Sequence, residues 1–452
     1  MYYHITEITF YIMWIIRFQK ILKMIKIEMI IIEKMDQLPL DILLYIITYI
    51  DNKILLSVCS ISHRFIGLNL ESLLRQRLTQ LTRLNLKNHN LKRLINLTKF
   101  PFNRNRINAN GCHSIILDND GQIYIFGNNN QGQLGLGNNI SINTPTLIVD
   151  IYGSIAASVG IAHSMILNNC DKIYTFGDNY FGQLGLGNNI DKNTPTLISD
   201  MDKIIAISAG EYHSIVLDND GQIYTFGRNN FGQLGLGDNT PKNTPTFIAN
   251  IAKIVTISAG ECHSITLDNS GQIYTFGGNS QGQLGLGDND VRNIPTLIKD
   301  IHNIISISAG GCHSMILNEN GQIYTFGSND WGQLGLGDYI DKNIPTLISN
   351  ISKITAISAY GWCSLILDNS GQNYTFGCNH YGQLGLGDND YRNIPTLITV
   401  MHKIIMVSAG NFHSIILNNG GQIYTFGYNH SGQLGLGDNI NRNVPTLLNI
   451  KL

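Results

Sequence analysis

The feature that most constrains the fold of this chain is a block of sequence that recurs every 50 residues. The motif GQIY, or a close variant, begins at residues 121, 171, 221, 271, 321, 371 and 421. The motif GQLGLG and the dipeptide PT recur with the same period and without insertions. A fixed period of this length is typical of solenoids and propellers, in which each repeat buries its apolar face against its neighbours.

Each repeat has the pattern of four short strands. In one repeat, Ile304–Ala309, His313–Leu317 and Ile323–Phe326 are rich in β-branched or aromatic residues. The segment Pro345–Ile348 predicts a fourth strand at the edge of the sheet, because proline cannot donate to a β-ladder. The sequence NENG between the second and third strands is typical of a hairpin turn. Seven such repeats predict a mainly β fold, a seven-bladed β-propeller.

The glycines of GQLGLG predict a structural role for this motif. Leu134 and Leu136 can enter the core while the flanking glycines adopt positive φ. We expect the blades to crowd near the propeller axis and to exclude side chains there. The motif resembles a phosphate-binding loop only superficially, because no Gly-Lys-Ser/Thr follows it and it does not open a helix.

The two ends of the repeat array predict how the ring closes. The last repeat stops after PTLLNIKL, and no strand of the IISISA type follows it. The segment Arg104–Asn110 falls at that missing phase, with Ile107 and Ala109 at the positions of equivalent residues in later repeats. We therefore expect this N-terminal strand to complete the last blade and to remove the open edges of the ring.

The recurring blocks SAGxxHS, GQIYTFGxNxxGQLGLGD and xxPTLI resemble the regulator-of-chromosome-condensation (RCC) repeat. The resemblance covers residues 104–452 and implies a seven-bladed RCC-like propeller over that range. Kelch propellers have a similar period, but the paired glycines that usually mark them are not the repeated element here.

The segment in front of the repeats has a helical pattern. Residues 36–68 contain LPLDILLYIITYI and then LLSVCSISHRF, two apolar stretches too short to build a core of their own. Their order resembles an F-box, which implies docking on the Skp-type adaptor of a cullin-type ubiquitin ligase. The alternative is a helical cap on the propeller. The positions that match the motif are Leu38, Pro39, Ile42, Leu43, Ile46, Leu55, Leu56, Val58, Ser62, Arg64 and Phe65.

These patterns divide the chain into an F-box at 36–80, a helical linker at 81–103 and a propeller at 104–452, with an unassigned N-terminal extension at 1–34. The apolar run Ile8–Ile16 in that extension is too short to span a bilayer and lacks the flanks of a signal peptide. The basic stretch after it has the composition of a surface amphipathic helix. The alternative is a mis-assigned start with Met35 as the true initiator, directly before the F-box, and on this interpretation no membrane partner is expected.

Charge and cysteine content limit the partners and the compartment. Residues 101–452 carry 16 Lys and Arg against 25 Asp and Glu, a net charge of −9, so no nucleic-acid partner is expected. The seven cysteines form no CxxC pair, which indicates neither a disulfide framework nor a zinc site. Because no disulfide framework is indicated, we expect a reducing intracellular compartment, either the cytoplasm or the nucleus. The abundance of Ile and Asn is typical of an AT-rich genome, such as that of a protist or a large DNA virus, in which case the compartment belongs to the host cell.

Positions that differ between repeats predict a binding surface. The least constant places of each fifty-residue unit are 11–12, 28, 30–31 and 39–41, counted so that residue 128 is place 28. Places 28, 30 and 31 lie between the third strand and GQLGLG, in loops that should gather on one face of the disc. Loops on a rigid scaffold commonly carry binding, and large aromatic residues are frequent hot spots. The alternative is that these positions vary because nothing constrains them. The predicted partner-binding residues are Tyr180, Phe181, Arg228, Phe231, Trp331, His380, Tyr381 and Tyr428.

Histidine recurs at one position in six of the seven repeats, with Cys363 in the remaining one. Equivalent positions on seven blades are too far apart to share a metal ion except near the axis, so we expect each histidine to form a hydrogen bond within its own blade. The recurring Ser and His belong to the framework of every blade, and no repeat carries a separate nucleophile or carboxylate constellation. We therefore predict no catalytic residue, no metal and no cofactor.

These observations predict an F-box substrate adaptor of a cullin-type ubiquitin ligase. In it the helical segment docks on the adaptor, and the RCC-like propeller recognises an unknown protein substrate. The alternative is a guanine-nucleotide exchange factor or another regulator of a Ran-type small GTPase, the best-known activity of the RCC family. The family prototype uses a β-hairpin insertion as a wedge, whereas the seven repeats here have equal length. Chromatin binding, also known in the family, is disfavoured by the acidic propeller.

Overall fold

The computed structural model describes residues 106–401 and 403–451. In this part of the chain every regular element is a β-strand, and there is no helix. The strands form seven four-stranded antiparallel sheets, each built from four strands that are consecutive in sequence. The described part is therefore a mainly β, seven-bladed propeller, as the period predicted.

The strand bounds repeat almost without change from blade to blade. The first strands are β1 (Ile107–Asn110), β5 (Ser154–Val159), β9 (Ile204–Ala209), β13 (Ile254–Ala259), β17 (Ile304–Ala309), β21 (Ile354–Tyr360) and β25 (Ile404–Ala409). The second strands are β2 (His113–Leu117), β6 (His163–Asn168), β10 (His213–Asp218), β14 (His263–Asp268), β18 (His313–Asn318), β22 (Cys363–Asp368) and β26 (His413–Asn418). The third strands are β3 (Ile123–Gly127), β7 (Ile173–Gly177), β11 (Ile223–Gly227), β15 (Ile273–Gly277), β19 (Ile323–Gly327), β23 (Asn373–Gly377) and β27 (Gln422–Gly427). The fourth strands are β4 (Ile142–Ile148), β8 (Lys192–Leu197), β12 (Lys242–Phe247), β16 (Arg292–Leu297), β20 (Lys342–Leu347), β24 (Arg392–Leu397) and β28 (Arg442–Lys451).

The hairpin between the second and third strands is fixed by its turn residues. In the third blade, the Asp218 carboxylate accepts hydrogen bonds from the backbone N–H groups of Asp220 and Gln222, both at 2.9 Å. Gly221 follows at φ +81°, a conformation that residues with a Cβ adopt rarely. This turn sets the register in which His213 pairs with Gly227. The hairpin signal in the sequence is thus confirmed.

The strands are ordered from the axis outwards as they are ordered in sequence. The first strands of neighbouring blades contact one another around the axis. The second strands are buried along almost their whole length, because neighbouring blades cover both faces. The fourth strands pair on one side only and are partly exposed, and each contains the proline that the sequence placed at an edge.

The core lies between the blades, where the GQLGLG motif of one blade covers the third strand of the next. A Cβ placed on Gly185 would come within 2.9 Å of the ring of Phe226, which is fully buried in the following blade. Leu184 is also fully buried, whereas Leu186 packs at the margin of the core. The expectation that these glycines relieve crowding at the axis is wrong, because the close contact is with the third strand of the neighbouring blade.

The seam between the first and last blades differs from the expected strand exchange. Strand β1 pairs with β2, with Ile107 opposite Ile116, and the last blade contains only β25 to β28. The prediction that the N-terminal strand completes the last blade is therefore wrong. The two-residue connection Gly111–Cys112 holds β1 against β2 in its own blade.

The ring closes instead through contacts between complete blades. The Ser114 hydroxyl of the first blade donates to the Gln433 carbonyl oxygen at 2.8 Å and lies 2.8 Å from His413 Nε2. The backbone N–H of Ala109 donates to Ser408 Oγ at 2.9 Å. Equivalent bonds join the second and third blades, where His163 takes the place of His413, so the first and last blades meet as those two blades do.

The predicted extension at 1–34, the F-box at 36–80 and the linker at 81–103 lie outside the described residues, so those assignments stay predictions. In the described part of the chain, no helix has the length and apolar character to cross a bilayer.

Candidate functional site

The antiparallel order of the strands places two variable loops of each repeat on the same end of the blade. The connection from the first to the second strand and the loop from the third to the fourth strand both lie where the second strand begins. In the third blade these segments are residues 210–212 and 228–241. We call this end of the propeller the variable face, because its loops carry the residues that differ most between repeats.

Buried amides hold the long loop of the variable face in one shape. In the third blade, the fully buried Asn229 accepts a hydrogen bond from the Leu234 N–H at 3.0 Å and donates to the Asp238 carbonyl oxygen at 2.9 Å. The Gln233 side chain accepts from the Phe231 N–H at 3.0 Å. Asn and Gln recur at these places in all seven repeats. The residues between them therefore stand on a rigid base.

Five aromatic side chains form a continuous surface over the fifth, sixth and seventh blades. They are Trp331, Trp362, Tyr381, Phe412 and Tyr428, which we call the aromatic arc. Ring centroids lie 6.4 Å apart for Trp331 and Trp362, and 5.7 Å apart for Trp362 and Phe412. Tyr381 lies 5.5 Å from Phe412 and 4.7 Å from Tyr428. All five residues are half-buried, so the arc presents apolar ring surface to solvent while its members support one another.

Three further rings extend the arc. Tyr391 packs edge-on against Trp331 at 4.9 Å, His380 packs against Tyr381 at 4.8 Å, and His430 packs against Tyr428 at 4.7 Å. All three residues are exposed. The arc is thus bordered by rings that carry a hydrogen-bonding edge.

An arginine centres a second group on the same face. The Arg228 guanidinium lies 5.2 Å from the centroid of Phe231, 5.5 Å from that of Phe181 and 5.9 Å from that of Tyr212. It also forms an ion pair with Glu211 at 3.7 Å. We call these five residues the arginine cluster. Its cation is held by rings and by a carboxylate, so Arg228 is oriented rather than mobile.

The recurring histidines lie between blades and not within them. His213 Nε2 lies 2.9 Å from the hydroxyl of Ser264 in the next blade, and that hydroxyl donates to the Gln233 carbonyl oxygen. Nε2 therefore carries the proton and donates to the serine. The expectation of a bond within one blade is wrong, because the ring reaches across the blade boundary. Burial lowers the pKa to about 3 for His113, His163, His213, His313 and His413.

These histidines act as neutral structural groups. In the described part of the chain, no group of three or more His, Cys, Asp or Glu side chains is arranged to hold a metal ion. The face presents ring surfaces, the Arg228 guanidinium and carboxylates, which are groups that can bind another molecule.

All eight residues predicted for the propeller face lie on the variable face. The structure brings Tyr180, Phe181, Arg228 and Phe231 to the arginine cluster or its border, with Tyr180 and Phe181 rings 4.9 Å apart. It brings Trp331, His380, Tyr381 and Tyr428 to the aromatic arc or its border. Their role in binding stays a prediction.

The sequence-based list omitted residues that the structure places in both groups. Tyr212, Trp362 and Phe412 all stand directly before the recurring His or Cys, at a place that is Cys or Ala in the other four repeats. The variability of this position was a usable signal, because the position differs between repeats as much as the positions of the predicted residues do. The F-box residues Leu38 to Phe65 lie outside the described part of the chain.

Comparison with protein families and curated sequences gives one match. The sequence matches the family described as RCC1-like domain over residues 80–359 and 204–451. No curated protein matches the chain.

Solved structures share the fold of the described part. Yeast RCC1 (Prp20), solved with Kap60 bound, is 22% identical, with 77% of this chain and 86% of that chain covered and a TM-score of 0.67. Human WBSCR16 is 20% identical over 73% of this chain and 94% of that chain, with a TM-score of 0.67. Prp20p from Saccharomyces cerevisiae, studied with its binding to Gsp1p and histones, is 24% identical over 77% and 88%, with a TM-score of 0.65.

Proposed function

Because the chain belongs to the RCC1-like domain family, we propose that it is a non-catalytic protein-binding propeller whose variable face receives a folded protein partner. The partner class that we propose is a small GTPase of the Ran type. The chain then acts as a regulator or effector of that GTPase.

The observation that carries this proposal is the aromatic arc. Five half-buried rings in contact across three blades do not belong to the repeat framework, because the equivalent places in other repeats hold Asn, Gln, Ser, Cys or other residues. Clustered Trp and Tyr on a rigid face are typical of interface hot spots. The arginine cluster on the same face adds a cation supported by rings, the other residue type enriched at interfaces.

The choice of partner class is supported by the similar structures. Prp20p is described with binding to Gsp1p and histones. Nucleotide exchange is a separate proposal from binding. The family prototype uses a hairpin insertion as a wedge, whereas each described blade here contains four strands and no additional hairpin. Binding and exchange are therefore measured separately.

We expect the full chain to bind Gsp1p, and Trp362→Ala and Tyr381→Ala to weaken that binding by at least about tenfold each, since hot-spot truncation commonly costs about 2 kcal/mol. The measurement is calorimetric titration with the GDP-bound, GTP-bound and nucleotide-free GTPase. Release of labelled GDP gives the exchange activity in the same samples.

Tyr152→Ala is the matched control. Tyr152 is 81% exposed in the connection between β4 and β5, at the opposite end of the blade. This variant should bind like the unmodified chain. Lack of binding in every nucleotide state contradicts the partner class, and unchanged binding by both arc variants contradicts the assignment of the face.

The F-box adaptor is the second candidate function, and the order of LPLDILLYIITYI and LLSVCSISHRF favours it. In this case residues 36–80 bind a Skp-type adaptor while the variable face binds the substrate. A pull-down with Skp adaptor tests it. The double variant Leu43→Asp with Leu55→Asp should no longer bind the adaptor. If the unmodified chain also retains no adaptor in the pull-down, this function is wrong.

A further inference from the structure

The variable face has a collar of residues around the propeller axis. In each repeat it consists of the two residues before the position that holds Tyr212, Trp362 or Phe412 in the third, sixth and seventh repeats. These pairs are residues 110–111, 160–161, 210–211, 260–261, 310–311, 360–361 and 410–411. Backbone bonds tie neighbouring members together. The N–H of Glu211 donates to the Gly260 carbonyl oxygen at 3.1 Å, and the N–H of Gly311 donates to the Gly361 carbonyl oxygen at 2.9 Å. The collar is therefore a fixed frame at the centre of the face.

Glu261 lies in this collar and leans over the next blade. A Cβ placed on Gly311 would come within 2.8 Å of Glu261 Oε1, so the glycine leaves the space that the carboxyl occupies. The only neighbouring carboxylate of the collar, Glu211, is paired with Arg228 at 3.7 Å. Among the described residues, Glu261 has no ion-pair partner of this kind. Burial, with Glu211 and Cys262 as further causes, raises the pKa of Glu261 to about 8.

Tyr360 supplies a second unsatisfied group at the same place. It stands where five repeats have glycine, and it is 6% exposed. Its hydroxyl has no hydrogen-bond partner among the described residues. Burial raises the pKa of Tyr360 well above its usual value, the Glu261 carboxylate raises it further, and the Asn110 side chain lowers it. The Glu261 carboxyl lies over Gly311, whose N–H donates to the carbonyl oxygen of Gly361, the residue after Tyr360, so the two residues are neighbours in the collar.

The sixth repeat is altered around this tyrosine. In five other repeats, glycine stands three residues before the recurring histidine and packs against its ring. A Cβ placed on Gly210, for example, would lie 2.5 Å from the His213 ring. In the sixth repeat Tyr360 replaces the glycine and Cys363 replaces the histidine. The larger side chain and the smaller one compensate each other. Trp362, a member of the aromatic arc, lies between them in sequence.

Glu261 is a half-buried carboxyl without a counterion, and the Tyr360 hydroxyl is buried without a hydrogen bond. A cation that also donates hydrogen bonds would complement both groups. The described residues contain no three-ligand set for a metal ion. Tyr212 and Trp362 stand beside the collar, and aromatic faces favour an organic cation.

We propose that the collar binds a basic side chain of the protein partner, arginine or lysine, with Glu261 as its charge partner and the Tyr360 hydroxyl as an acceptor. This inference rests on the proposed function, because it deepens the role of the variable face. The other titratable groups that interact electrostatically with Glu261 are Glu211, Cys262, Cys312, Tyr212 and Tyr360.

The test uses small probes, so it does not depend on any partner protein. The full chain has seven glutamates, and carbon-13 labelling of their carboxyl groups allows Glu261 to be identified as the signal missing in Glu261→Gln. N-acetyl-arginine amide and N-acetyl-lysine amide are titrated separately, with N-acetyl-norleucine amide as the uncharged probe. We expect at least one cationic probe to shift the Glu261 signal saturably, at least about tenfold more tightly than the norleucine probe. The two cationic arms distinguish arginine from lysine.

Binding should depend on pH with a defined sign. A cation favours the ionised carboxyl, and a pKa of about 8 leaves Glu261 mostly protonated at lower pH. Affinity should therefore be roughly 20-fold higher at pH 8.5 than at pH 6.5. Glu261→Gln should lose both the affinity and its pH dependence, while Glu319→Gln, in an exposed hairpin turn, should keep both.

Two outcomes overturn the site: neither cationic probe shifts Glu261, or Glu261→Gln binds the probes as well as the unmodified chain. Thermal unfolding of each variant establishes that it is folded. If Gsp1p binds through the arc while the probes fail, the basic side-chain site is wrong and the proposed function stands. If the probes bind while Gsp1p does not, the site stands with another partner.

Discussion

At the scale of single residues, one departure from the repeat places a polar group where the framework requires an apolar one. Asn373 stands where the other six repeats have isoleucine, at the start or within the third strand. It is fully buried, and neither its Oδ1 nor its Nδ2 has a hydrogen-bond partner among the described residues. Desolvating such a group without a bond costs about 1–3 kcal/mol.

We therefore expect Asn373→Ile to raise the free energy of unfolding by about 2 kcal/mol, because it removes the unpaired amide and restores the side chain of the neighbouring repeats. Urea denaturation measures the change. The matched reverse variant, Ile323→Asn in the preceding blade, should lower it by a similar or larger amount. An unchanged or reduced stability of Asn373→Ile would show that the amide has a partner in the folded protein.

At the scale of elements, the GQLGLG loop joins adjacent blades by contact between a glycine and a ring. A Cβ on Gly235 would lie 2.9 Å from the ring of Phe276 in the next blade and 3.1 Å from Ile248 Cδ1. Gly237, two residues later, has 3.8 Å to its nearest neighbour, Ile294. Both glycines have positive φ, +70° and +83°. Only the first combines backbone strain with a clash.

Gly235→Ala should thus be more destabilising than Gly237→Ala. Each substitution carries about 1–2 kcal/mol for the left-handed backbone, and the contact with Phe276 adds about 1–3 kcal/mol. Chemical denaturation of the two variants gives the difference directly. Equal losses would mean that the loop can move away from the ring, and that the blade contact is less tight than its geometry indicates.

At the scale of the whole molecule, the ring is closed by ordinary contacts between blades. Ser114 joins the last blade to the first through His413 and Gln433, and Ser264 forms the same two contacts between the third and fourth blades. No exchanged strand seals the seam in the described part of the chain. Closure therefore depends on these side chains and on the apolar cluster that joins Ile107 and Phe126 to Leu417.

We expect Ser114→Ala and Ser264→Ala to destabilise the propeller equally, by roughly 1–3 kcal/mol, because each leaves a buried histidine and a carbonyl without their partner. Thermal and urea unfolding compare them, with Ser264→Ala as the internal reference. A negligible effect of Ser114→Ala beside a clear effect of Ser264→Ala would indicate that the seam is open in solution.

The repeat explains why so much of the fold was predictable. Alternating β-branched residues, a hairpin turn such as 218–222 and a strand-edge proline are local signals, and seven copies of them reinforce each other. The partners of the strands were less predictable. The phase of Ile107 and Ala109 correctly indicated a first strand, but it fitted the first blade and the last blade equally well.

The sequence by itself determined the number of blades, the strands within each and the loops that vary, because these depend on short-range patterns that recur. Only the tertiary structure decided which blade β1 joins and that His213 bonds to Ser264 across a blade boundary. It also decided that rings from different repeats, such as Trp362 and Phe412, meet on one face while Glu261 reaches over Gly311. These contacts join residues that are about one period or more apart in sequence. They form because of the angle at which neighbouring blades pack around the axis, and no single repeat encodes that angle.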